Sequence, residues 1–180
     1  MEQKYKLGSR SKRVYHSGIH PDLQLIIDEM LVVSPMDFTL VSGVRTTKEQ
    51  WNLFTIGRKY SGLGQKLESK SWHEIPKGER GYGIVTKCDG YRIKSNHQKK
   101  DDGFGHAFDF QCYISGRPDL SYDKIHMTVM IGAFLTTADS LFHNEIISHR
   151  LKSGADWDSD TQFMEPGTFI DMPHLQLMKP

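Results

Sequence analysis

Apolar positions along this chain change period several times, and each change marks a predicted element. Leu23, Ile26, Ile27, Met30 and Leu31 recur at the spacing of one helical face, with Pro21 at a favourable first position and Pro35 just beyond. A helix over residues 21–33 follows. Phe38 to Ser42 is a run of strand-favouring residues stopped by Gly43. Thr46 and Thr47 precede Glu49 and Gln50 at capping-box spacing, which predicts a second helix over residues 47–58.

Residues 60–83 show no period and are rich in Gly, Lys, Ser and Pro, the composition of a long surface loop. Residues 84–88 and 91–94 read as short strands joined by Asp89-Gly90, a hairpin-turn dipeptide. A strand over 106–114, a strongly apolar helix over 122–142 and a last strand over 169–177 complete the pattern. Pro173 assigns that last strand to a sheet edge or a strand start. The elements sum to an α+β domain in which a small antiparallel β-sheet is flanked by helices.

A chain of 180 residues suffices for one domain over residues 1–180 that buries roughly 70% of its unfolded surface. Lysine and arginine number 23 against 22 for aspartate and glutamate, so there is no field to draw nucleic acid, and none is expected as a partner. Residues 1–15 carry Lys4, Lys6, Arg10, Lys12 and Arg13 without a following apolar run, and are expected as a solvated basic tail rather than a secretory signal. No run approaches the roughly 18 apolar residues of a membrane helix, so no membrane insertion is expected. The chain is expected to be a monomer. Cys88 and Cys112 are too few for a disulfide framework and lack zinc-knuckle spacing; both are expected as small buried hydrophobes.

Candidate chemistry begins at Asp109. Strand alternation points His106, Phe108, Phe110 and Cys112 one way, to the core, and Gly105, Ala107, Asp109 and Gln111 the other. A carboxylate flanked by residues with almost no side chain leaves space over a sheet for a metal and a substrate. His97 lies upstream and His174 on a neighbouring strand, and two histidines with one carboxylate make a three-ligand catalytic zinc set with a position left for water. Seven residues separate His97 from Gly105, which leaves His106 as a rival ligand; parity sends His106 to the core and favours His97. His73-Glu74 opens like a zinc-protease helix motif, but Lys77 stands where the second histidine is needed. His16, His20, His126, His143 and His149 have no partner at ligand spacing and are expected on helix surfaces or at caps. Trp157, with Asp156, Asp158 and Asp160, is a candidate substrate rim.

Ser42-Gly43-Val44-Arg45-Thr46, Ser95-x-His97 leading to Gly105-x-Ala107-x-Asp109-Phe110, Asp156-Trp157, and Asp171-x-Pro173-His174-x-Gln176 together resemble the ordered motifs of the zinc D-alanyl-D-alanine carboxypeptidase and L-alanyl-D-glutamate endopeptidase family, which includes many bacteriophage endolysins. The blocks run from about residue 38 to 177. Two departures stand out: the His97–Gly105 spacing is longer than the family's, and Asp171 occupies a position that is often glutamate. The resemblance implies a Hedgehog/DD-peptidase-like fold and Zn2+ held by His97, Asp109 and His174. It further implies Asp171 as the base, Arg45 beside the developing oxyanion, Ser95 orienting His97, and Gln50 contacting substrate or lining the cleft. The implied partner is the bacterial peptidoglycan stem peptide, with an L-alanyl-D-glutamate endopeptidase as the leading expectation. A D-alanyl-D-alanine carboxypeptidase and a non-catalytic cell-wall-binding module are the alternatives. No separate wall-binding domain is expected, and the endolysin likeness implies that the protein waits in the host bacterial cytoplasm until a membrane pore admits it to the wall.

Overall fold

The helix predicted over residues 21–33 forms with those bounds, because its apolar face finds a core and its first turn is capped. Leu23, Ile26, Ile27, Met30 and Leu31 are all buried, and the His20 ring accepts a hydrogen bond from the Asp22 amide at the N-terminus. The computed structural model describes residues 3–56, 85–158 and 170–178. Its elements are α1 (Ser9–Tyr15), α2 (Pro21–Val33), β1 (Phe38–Ser42), α3 (Thr47–Thr55), β2 (Ala107–Cys112), α4 (Lys124–His143), β3 (Leu151–Gly154) and β4 (Asp171–Leu177). The expected loop over 60–83 and the end of the expected 47–58 helix lie outside the described residues.

The strands form one four-stranded antiparallel sheet in the order β1-β2-β4-β3. Its core face is covered by α4, which packs on β2, β3 and β4 and against α2. Phe134 of α4 sits among Phe38, Phe108 and Phe110, with ring centroids 5.2, 5.7 and 4.9 Å away. By length and composition α4 is apolar enough to cross a membrane, contrary to the expectation that no stretch comes near. One face of α4, through Met127, Met130, Ile131, Phe134 and Ala138, is buried in the core of the domain.

Three further expectations are corrected. Residues 9–15 of the supposed basic tail form α1, which buries Ser11 and Val14 and keeps Lys12 and Arg13 in water. Ser11 Oγ accepts from the Leu40 amide, and Tyr15 Oη donates to Asp28 Oδ2 at 2.8 Å, so α1 is tied to both β1 and α2. Residues 85–94 form no strand pair: the buried Asp89 carboxylate accepts from the amides of Tyr91, Arg92 and Ile93, a local turn that competes successfully with a hairpin. Cys112 is buried, whereas Cys88 is only half-buried. Of the two placements expected for Pro173, the strand start is the one found: β4 lies between β2 and β3, and Pro173 occupies its irregular start, where the β3–β4 register shifts between Ser153 and Gly154. The strand β3 (Leu-Lys-Ser-Gly) carries no strand signal of its own and exists because β4 offers it a partner.

Phe134→Ala is expected to destabilise the fold by about 3–5 kcal/mol in chemical denaturation, as for a large buried aromatic. Burial, with the hydrogen bond to Asp28, pushes the Tyr15 phenol up to about 12. Its folded pKa therefore lies above the ordinary tyrosine value, and the stability it contributes is intact below about pH 10 and lost as pH rises through about 12. Ultraviolet titration of wild type against Tyr15→Phe is expected to remove one late-ionising phenol.

Candidate metal centre

The site is built by sheet register. Asp109 of β2 pairs directly with His174 of β4, and Ser42 at the end of β1 pairs with Asp109 from the other side. The Leu177 amide bonds to the His106 carbonyl, so alternation along the ladder makes Asp109–His174 a non-hydrogen-bonded pair, the kind whose side chains stand closest. His97 arrives from the loop before β2. Its amide is held by Ser95 Oγ, and its carbonyl accepts from the Arg45 amide.

Three atoms then converge: His97 Nε2 is 3.1 Å from His174 Nδ1 and 3.2 Å from Asp109 Oδ1, and the last two are 3.1 Å apart. Their other sides identify what faces inward. His97 Nδ1 lies 2.8 Å from the Gly43 carbonyl, which can only accept, so Nδ1 carries the hydrogen and Nε2 a bare lone pair. His174 Nε2 lies 2.9 Å from Gln176 Oε1, which also accepts from Asn96 Nδ2 at 2.7 Å, so Nδ1 is likewise bare. Two buried lone pairs and a half-buried carboxylate oxygen in mutual contact repel unless a cation lies among them. Tetrahedral zinc with ligands at about 2.0–2.1 Å needs them about 3.4 Å apart, close to the triangle observed. These residues can hold a divalent ion.

The electrostatics agree. Burial opposes ionisation of Asp109, but contacts with His174, His97 and Arg45 outweigh it and hold the carboxyl well below the usual range. Burial lowers His97 and favours its neutral form, against the pull of Asp109. Burial also opposes charging of His174, yet its bonds to Asp109 and Gln176 prevail and raise it. Protonation of His174 and binding of a metal at its Nδ1 therefore compete for the same lone pair.

The remaining predicted site residues are placed as follows. Arg45 Nη2 binds Asp109 Oδ2 at 2.6 Å and Arg45 Nε donates to Ser42 Oγ, so the guanidinium fixes one carboxylate oxygen and turns the other to the imidazoles. Asp171 lies outside the three-atom group but within electrostatic reach of Asp109, His174, His97 and Arg45. The register shift against β3 lets it escape strict alternation with His174. Burial first, then the Asp109 charge, raise its carboxyl above the ordinary range. The Trp157 ring stands 5.4 Å from that of His174, at the rim. Gly154, opposite Asp171, makes this possible, because a Cβ there would come within 2.5 Å of the Asp171 carbonyl and 2.9 Å of the Trp157 ring. Asp160 lies outside the described residues.

Gln50 is 0% exposed, and its amide nitrogen donates to the Cys88 carbonyl while its oxygen faces Arg45. Ser95 acts on the backbone of His97, whereas the ring is oriented by Gly43. His106 does not join Asp109, but it is not a core residue either; half-buried, it binds Asp102. Gln176 is a supporting residue to which the sequence motif assigns no role; its place two positions from His174, on the same strand face, is the signal that could have found it. Gln176→Ala is expected to weaken zinc binding about 10- to 100-fold, the usual effect of losing a ligand's supporting hydrogen bond, with competition against a coloured chelator as the measurement.

No family model matches the chain, and no curated protein matches it. Among solved structures, the chain resembles the crystal structure of the Serratia marcescens L-Ala D-Glu endopeptidase ChiX, with a TM-score of 0.56 and 18% identity over 97% of this chain and 91% of that one. At that identity the likeness establishes a shared fold.

Proposed function

We propose that the protein is a zinc-dependent peptidase that hydrolyses peptidoglycan stem peptides, at the bond between L-alanine and D-glutamate. The observation that carries this reading is the convergence of His97 Nε2, His174 Nδ1 and Asp109 Oδ1 with no hydrogen left to satisfy them. The shared fold with an enzyme described as an L-Ala D-Glu endopeptidase supports the choice of substrate.

A divalent ion held by His97, Asp109 and His174 would supply Lewis-acid chemistry, making water a competent nucleophile near neutral pH. The chain's own residues do the rest. Asp171, ionised, accepts the proton of the attacking water and returns it to the leaving amine. Arg45 holds Asp109 through Nη2, while Nη1 has only a 3.5 Å contact with Gln50 and is the donor free to turn toward an oxyanion. Trp157 beside His174 offers an apolar wall against which a peptide can lie.

Purified cell walls treated with the zinc-loaded protein are expected to release new amino groups, and mass analysis of the fragments to show cleavage after L-alanine. Loss of terminal D-alanine instead would assign a carboxypeptidase, and tight wall binding without any release would sink the peptidase reading. Asp171→Asn is expected to abolish turnover while zinc stays bound, and Arg45→Ala to cost roughly 10²- to 10³-fold in kcat. The base must be ionised and its pKa is raised, so the rate is expected to fall as pH drops through a value above the ordinary carboxylate range. Asp171→Glu is expected to move that acid limb in a pH–rate profile.

A further inference from the structure

A second group of histidines lies on the other side of β2. His106, three positions before Asp109, sits with its ring centroid 5.0 Å from that of His20 and 5.7 Å from that of His149; His20 and His149 are 4.7 Å apart. Two carboxylates close the group. His106 Nε2 is 2.6 Å from Asp102 Oδ2, and His20 Nε2 is 3.8 Å from the same oxygen. On the far side, Asp22 Oδ2 accepts from His149 Nδ1 at 2.8 Å, while Asp22 Oδ1 lies 3.8 Å from His20 Nδ1.

The sequence brings these residues from five segments: the turn before α2, the first turn of α2, the loop between His97 and Gly105, the residue before β2, and the connection from α4 to β3. The loop is the longer-than-usual spacing noted in the motifs, and it is built to present Asp102. A turn joins Lys100, Gly103 and Phe104 by backbone bonds, and Asp102 Oδ1 accepts from the Phe104 amide, which leaves Oδ2 facing the imidazoles. Gly105 then bonds through its amide to Gly18 and through its carbonyl to His20, locking the loop beside the α2 N-terminus.

We propose that this cluster is a second divalent-metal site, with His20, His106 and Asp102 as ligands and an ion of the zinc class as occupant. Ligand atoms of these three lie within 4.8 Å of one another, and imidazole with carboxylate is the donor set zinc accepts. In this structure His20 Nδ1 accepts from the Asp22 amide at 3.1 Å; when Nε2 binds metal, the ring hydrogen moves to Nδ1, that amide gives up its acceptor, and Asp22 Oδ1, 3.8 Å from Nδ1, closes in to accept the ring hydrogen. His149 lies outside this group of ligands and holds Asp22 Oδ2 through its Nδ1 at 2.8 Å.

The site is structural. The His106 amide bonds to the Asn96 carbonyl, and the Asn96 side chain holds Gln176, so an ion here braces the frame behind the catalytic face without touching it. The inference is independent of the peptidase reading, since its test never uses turnover. Asp109→Ala removes the first centre and is expected to retain one zinc per chain by elemental analysis after gel filtration, with a rise in Tm on zinc addition. Cobalt in the same variant is expected to show the visible bands of a low-symmetry nitrogen–oxygen site. Adding His106→Ala, or the milder Asp102→Asn should the first fail to fold, is expected to take the stoichiometry to zero and erase the Tm rise. A folded Asp109→Ala protein that binds no zinc overturns the proposal. So does one whose zinc survives both added substitutions.

Discussion

Three electron pairs pointed at one another in a nearly dry space are the constraint on which the rest of this molecule turns. His97 Nε2, His174 Nδ1 and Asp109 Oδ1 are each forced inward because the opposite atom of each group is already engaged, by Gly43, Gln176 and Arg45 respectively. Rotating any ring outward breaks a buried hydrogen bond, and leaving it inward requires positive charge at the centre. Much of the surrounding architecture can be understood as keeping those three opposite atoms in place.

Gly43 shows how far that influence extends. Its carbonyl aims at His97, and its missing side chain is what lets α1 lie close: a Cβ there would fall 2.6 Å from Ser17 Oγ and 3.0 Å from Val14. Ser17 Oγ in turn accepts from the Val44 amide. The short basic helix is therefore part of the wall that orients a histidine far along the chain. The capping box of Thr46 and Glu49, formed immediately after Arg45, fixes where α3 begins and so where the guanidinium starts its reach toward Asp109.

Strong local patterns were legible before any coordinates. The faces of α2 and α4, β1, the capped start of α3, and the alternation around Asp109 were readable because each is set by nearest neighbours in sequence. The triad itself was reached through motif likeness as well as parity, and register across β2 and β4 is what brings His97, Asp109 and His174 together. What escaped was anything decided by a distant partner. The α1 helix needs β1 and Asp28, β3 needs β4, and the turn at Asp89 is chosen by one carboxylate capturing three amides in place of cross-strand pairing. The cluster of His20, His106 and His149 was invisible for the same reason, since no spacing links residues that meet only after the sheet has formed.

The partners chosen for the two imidazoles carry a consequence of their own. Both are amide oxygens, one from the main chain at Gly43 and one from the side chain of Gln176, and neither bears a formal charge. A carboxylate in either role would draw its ring toward imidazolate and load the centre with negative charge. With neutral supports, a divalent ion held there would, with the Arg45 cation and the ionised Asp109 and Asp171, leave an excess of one positive charge. An anion arriving at that spot completes electroneutrality, whereas a cationic visitor meets repulsion, so selectivity by sign is written into two uncharged groups.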